Sequence, residues 1–148
     1  MKTPTTLTLK TVEVRSKRIP RRGKKLGQML VFNEDITEIN GTPISQFPVP
    51  NLGPPQHLGF CFRVQKPDLW LCEAGWILPG LPPPTPFPKG GQIQARGLLD
   101  FRSNGAGHVA ITGGTEDYLD ALGHIVITAV GGSPAVTVYN FTIETPGP

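Results

Sequence analysis

Two carboxylates and a group of aromatic side chains are the residues of this chain best placed to do chemistry. Glu73 is the one charged residue within the apolar run Leu69-Trp70-Leu71-Cys72-Glu73-Ala74-Gly75-Trp76-Ile77-Leu78. Pointing inward, it would be desolvated toward its neutral form and become a proton donor; pointing outward, it is a solvated or interfacial charge. Glu13 is the second candidate, with Arg15 two residues on and on the same face of an alternating run, so the two can also simply pair. Trp70, Trp76, Tyr139 and Phe141, with Phe32 at the centre of another apolar run, read as core or pocket-lining aromatics. An aromatic wall that holds an unsaturated substrate in a near-attack shape can supply roughly 7–11 kcal/mol of a barrier without a catalytic acid.

Other chemistries find little footing. The sequence has no nucleophile elbow, phosphate loop or dinucleotide fingerprint. Its three histidines are scattered without ligand spacing, so neither a metal nor a cofactor is expected. Cys61 and Cys72 read as two free, buried thiols in a reducing cytosol. Seven of the fourteen basic residues fall between Arg15 and Lys25. No aromatic residue interrupts them, so the stacking platforms of single-strand binders are missing. The reading is a solvated loop between strands, with binding of nucleic acid or acidic partners as a third-choice function.

These residues must be positioned by strands. The chain has 148 residues, of which 18 are Gly and 17 Pro, and its apolar residues fall in short runs between Gly/Pro clusters. That is the layout of an all-β domain with many turns. Alternation marks eight strands, over 7–15, 26–36, 57–65, 68–78, 92–101, 109–112, 124–130 and 135–144. Joined in order, they suit an eight-stranded antiparallel up-and-down barrel, which removes exposed edges. Residues 1–148 form one domain, with proline-rich loops 40–56 and 79–91 at the rim and a flexible tail over 145–148. The first loop reads as a lid at the barrel mouth or, equally, as a surface strap or partner contact. No apolar run is long enough for a membrane helix and the start lacks a secretory signal, so a cytoplasmic location is expected.

The segment Ala110-Ile111-Thr112-Gly113-Gly114-Thr115, followed by Tyr118 and Gly123, resembles one shared by plant dirigent proteins and allene oxide cyclases. Glu116 departs from it, standing where those families carry a small residue. A Gly before the second strand and a Phe-Asn-acidic step at its end resemble the same pattern. The resemblance implies the eight-stranded barrel with one small apolar substrate in its bore. It also implies that Glu13 faces the cavity and stabilises developing positive charge, and that Cys61 lines it, unless Cys61 is a buried structural thiol. Glu13 or Glu73 would polarise or protonate the substrate, and Arg15, Phe32, Cys61, Trp70, Trp76, Tyr139 and Phe141 would contact it. The expected function is a cyclase or isomerase of polyketide-type metabolism that closes a ring, for instance by a four-plus-two cycloaddition. The alternative is a non-catalytic, dirigent-like binder of a hydrophobic metabolite. Dimers or trimers are expected.

Overall fold

A computed structural model describes residues 4–19, 26–50, 53–65, 67–103 and 106–146. Eight long strands follow one another around a closed antiparallel barrel: β1 (Thr5–Ile19), β2 (Met29–Ile39), β4 (Gln56–Gln65), β5 (Leu69–Leu78), β6 (Gly91–Asp100), β7 (Gly107–Gly114), β8 (Leu122–Gly131) and β9 (Val136–Glu144). A two-residue strand, β3 (Thr42–Pro43), is added at the end of β2. Pairing of β1 with both β9 and β2 closes the ring. The eight expected strands are therefore found, each shifted by a few residues at its ends. Among the described residues no helix is long and apolar enough to cross a membrane.

Alternation fixes which side chains fill the bore. On β1, Leu7, Leu9 and Thr11 are buried while Thr6, Thr8 and Lys10 are exposed. The pattern then breaks at Val14, where a β-bulge leaves one residue of β1 without a partner on β2. A bulge re-phases every side chain beyond it. Glu13 points inward, Arg15 is carried to the outer face, and Ser16 and Arg18 return to the bore.

The two proline-rich connections lie at the same end of the barrel. Within the second, Leu81 and Phe87 are buried, and the Phe87 ring packs on Tyr118 at 4.5 Å. In the first, Ile44 and Phe47 pack against the core. Below them Leu7, Leu9, Ile39, Leu78, Ile93, Ile125 and Phe141 fill the bore. This end is filled with side chains, and Ile44 and Phe47 of the first loop pack onto it. Residues 51 and 52 of that loop, 20–25 of the basic run, and 147 and 148 of the tail lie outside the described residues.

Gly114 is where the segment after β7 needs glycine. A Cβ there would collide with the Gln92 carbonyl and with Tyr118, whose side chain is part of the plug. Beside it the β6–β7 register shifts between Gln94 and Ala95.

The two cysteines are not free thiols. Cys61 and Cys72 stand directly opposite each other in the β4–β5 ladder, with Cα atoms 4.0 Å apart, and they form a disulfide. It closes a short loop, because the cysteines are only 11 residues apart. Loop-closure entropy for that length is worth about 2–3 kcal/mol. Replacing both cysteines with alanine is predicted to lower the unfolding free energy by that amount, read as a lower urea midpoint at unchanged slope. A thiol reductant should destabilise the wild type and leave the double variant untouched; equal responses would contradict the assignment.

Candidate active site

One row of the wall runs across four adjacent strands. Register sets Glu13 of β1 opposite Glu34 of β2, Glu34 opposite His57 of β4, and His57 opposite Trp76 of β5. All four line a cavity of about 920 Å³. It occupies the half of the barrel away from the plug and opens where the exposed residues Ser16, Lys17, Arg18, Val130 and Gly131 form its rim. Leu30, Phe32, Leu99, Phe101, Val109 and Ile127 make the walls between rim and row apolar. A volume of this size suits one small molecule.

The rings of His57 and Trp76 form the floor. They stack with centroids 4.0 Å apart and planes 9° from parallel, and Tyr139 meets both edge-on, at 4.9 and 5.5 Å. Phe32 tilts against His57 at 5.1 Å. His57 Nδ1 lies 2.9 Å from the Gly75 carbonyl oxygen, which can only accept, so the proton sits on Nδ1. In the neutral ring Nε2 then carries the free lone pair. Burial keeps the ring neutral, driving its pKa down to about 3, against which the bond to Gly75 works only partly.

Glu34 is half-buried beside this stack. Tyr139 donates from its hydroxyl to Glu34 Oε1 at 2.6 Å, and Thr11 donates to the same oxygen at 2.9 Å. Among the described residues no side chain bonds Oε2. Desolvation raises the carboxyl's pKa; the bonds from Tyr139 and Thr11 oppose this, and the nearby Glu13 carboxylate adds to it. Tyr139 is itself pushed far up by burial and by Glu34, so its hydroxyl remains a donor. The arrangement presents a carboxyl poised to give or take a proton, steadied on one oxygen and free on the other. Among the described residues no group of three or more His, Cys, Asp or Glu side chains could hold a metal.

No protein-family model and no curated protein matches this sequence. Solved structures match its shape. Pyocyanin demethylase is 21% identical with a TM-score of 0.68, over 95% of this chain and 100% of that one. Two pterocarpan synthase dirigent proteins follow: GePTS1, 13% identical, TM-score 0.68, over 100% and 90%, and PsPTS1, 11% identical, TM-score 0.67, over 99% and 98%. The fold is that of the dirigent and allene oxide cyclase barrels. At these identities the likeness shows the fold alone.

Within this dirigent-type barrel the sequence-derived residues divide. Glu13, Phe32, Trp76 and Tyr139 line the cavity, as does Cys61, though as half of a disulfide. Glu73 does not: it stands on the outer face, 3.4 Å from Arg96 in an exposed ion pair, and cannot protonate a guest in the bore. Arg15 does not, because the bulge at Val14 turns it outward. Trp70 is buried beneath the Arg63 guanidinium, 4.5 Å from its ring, and Phe141 lies against Trp76 at 5.1 Å within the filled half. Glu34, His57 and Thr11 went unrecognised in the sequence. Asn33-Glu34-Asp35 reads there as the end of a strand, whereas β2 continues to Ile39.

The two titrating groups give stability opposite pH dependences. His57 is depressed from 6.5 to about 3 in the fold. Its contribution is therefore complete above pH 6.5 and is lost as pH falls toward 3. Between pH 7 and 4.5 this removes about 2–3 kcal/mol. Glu34 is raised, so its folded carboxyl protonates first and stability grows as pH falls through its folded value toward 4.5. Urea denaturation of wild type and His57→Gln at both pH values isolates the first effect: the variant is predicted to lose that much less on acidification. Identical losses would mean the ring is not held neutral.

Proposed function

We propose that the open half of the barrel binds a small, largely apolar, unsaturated molecule and isomerises or cyclises it by moving a proton. The observation that carries this reading is Glu34, desolvated beside an aromatic floor, held on Oε1 by Tyr139 and Thr11 with Oε2 left to a guest. A protonated Glu34 gives its proton to a carbonyl or epoxide oxygen. The resulting carboxylate, kept in place by the two hydroxyls, takes a proton from carbon. The formula of the guest is unchanged, and the acid is regenerated. Neutral His57 accepts a hydrogen bond, and Glu13 stabilises positive charge that develops near the row. Phe32, Trp76 and Tyr139 fix the guest's shape.

The narrower reading is ring closure on a polyketide-type intermediate, such as a four-plus-two cycloaddition. It is supported by the aromatic floor and by the resemblance of the segment at Gly113-Gly114. The neighbours' names, a demethylase of pyocyanin and synthases of pterocarpans, are names of proteins that act on small molecules. The homo-oligomer would form through the outer face of β4, where Leu58, Phe60, Phe62 and Val64 are each more than a third exposed. A cytoplasmic setting is opposed by the Cys61–Cys72 disulfide, since such bonds persist in oxidising surroundings.

Proton transfer can be assayed without the natural substrate, using a panel of cavity-sized β,γ-unsaturated ketones whose conversion to conjugated enones is followed by absorbance. Wild type is predicted to exceed Glu34→Gln by roughly 100-fold in kcat, the range expected for a positioned acid–base group. KM should change little. Tyr139→Phe should shift the pH–rate profile upward, because removing its hydrogen bond favours the protonated carboxyl. Equal rates for wild type and Glu34→Gln would leave a binding barrel without this chemistry.

A further inference from the structure

The mouth of the cavity carries cations that no carboxylate pairs with among the described residues. Lys17 and Arg18 line the cavity rim, and Arg18 leans over the Trp70 ring at 5.6 Å. Neither forms an ion pair among the described residues. The carboxylates of the neighbouring turns at this end are committed elsewhere, Asp68 to Arg63 at 2.6 Å and Asp100 to Arg102 at 2.5 Å. The β8–β9 connection over 131–135 has no charged residue, and from Arg15 to Gly27 the sequence has seven cations and no acid. A rim of unpaired cations above apolar walls attracts an anion and orients it, with its apolar part inward.

We infer that the guest is an amphipathic anion, whose carboxylate, sulfonate or phosphate group sits at Lys17 and Arg18 while its unsaturated body reaches down to Glu34 and His57. The inference rests on the reading of the cavity given above and adds the polarity of its ligand. Register supplies a length. Arg18 faces Leu30 on β2, four residues from Glu34. The charged end and the reacting atoms are therefore separated by about 13 Å of wall. Leu30 and Phe32 line that interval from β2. A neutral molecule of the same size would leave both cations without a partner and lose the orientation they impose.

Two dyes with one aromatic body test this. 1-Anilinonaphthalene-8-sulfonate carries an anionic group that N-phenyl-1-naphthylamine lacks, and both fluoresce on entering an apolar cavity. At low salt, wild type is expected to bind the sulfonate at least tenfold more tightly than the neutral amine, with the advantage shrinking as salt rises. Lys17→Gln combined with Arg18→Gln should cut sulfonate affinity roughly tenfold and leave the amine unchanged. Lys10→Gln combined with Arg96→Gln removes the same charge from the outer wall and should alter neither. Ala129→Trp, which fills the cavity near its mouth, should abolish both. Equal binding of the two dyes, or an advantage for the sulfonate that survives either the Lys17/Arg18 change or the Ala129 block, overturns the inference while the apolar cavity stands. Failure of wild type to bind either dye removes the cavity reading as well.

Discussion

The stack of His57 on Trp76 divides this barrel into two halves. Below it the bore is filled with Leu, Ile and Phe side chains and closed by the buried Phe87–Tyr118 contact. Above it the walls narrow to smaller groups, Ala74, Ala95 and Ala129 among them, and space remains for a guest. Two flat rings 4.0 Å apart make a rigid floor, and Tyr139 clamps both edge-on. An eight-stranded barrel can be filled by its own side chains or hold one small ligand. This one does each in a different half, and the solid half supplies the stability that the hollow half forgoes.

The same floor sets the electrostatics of the site. A low-dielectric surround raises the cost of any charge placed beside it, so His57 stays neutral and Glu34 leans toward its acid form. Tyr139 and Thr11 counter that tendency at one carboxyl oxygen only. Burial and hydrogen bonding thus pull in opposite directions on a single group, which suits a residue that must both release and recover a proton. Glu13, one strand away, disfavours a second negative charge and adds to the bias.

Much of the fold was legible because alternating sequences can only be strands, and eight in succession close most simply as a barrel. The interior was harder to read. On β5 both faces are apolar apart from Glu73, so period alone could not say which face is inside. On β4 the outward row Leu58, Phe60, Phe62 and Val64 is as greasy as a core. Arg15 was misplaced because a single unpaired residue, Val14, inverts the phase of everything after it. His57 begins its strand beside polar Gln56, and only the distant Trp76 makes its position buried. Cys61 and Cys72 lie at similar distances from the turn between two adjacent strands, but it is the register shift between Arg63 and Gln65 that sets them face to face. That the two proline-rich loops share one end also follows from strand order. That the opening is at the other end does not, because it depends on which side chains fill the bore.

The account turns on whether Glu34 sits in a desolvated, hydrogen-bonded niche beside an accessible hollow. Carbon-13 NMR titration of the glutamate side-chain carboxyls, with Glu34 assigned by its loss in Glu34→Gln, measures this directly. The account predicts a midpoint above the ordinary value of 4.5, moving further upward in Tyr139→Phe. A midpoint at or below 4.5, indifferent to Tyr139, would place the carboxylate in water and contradict the site.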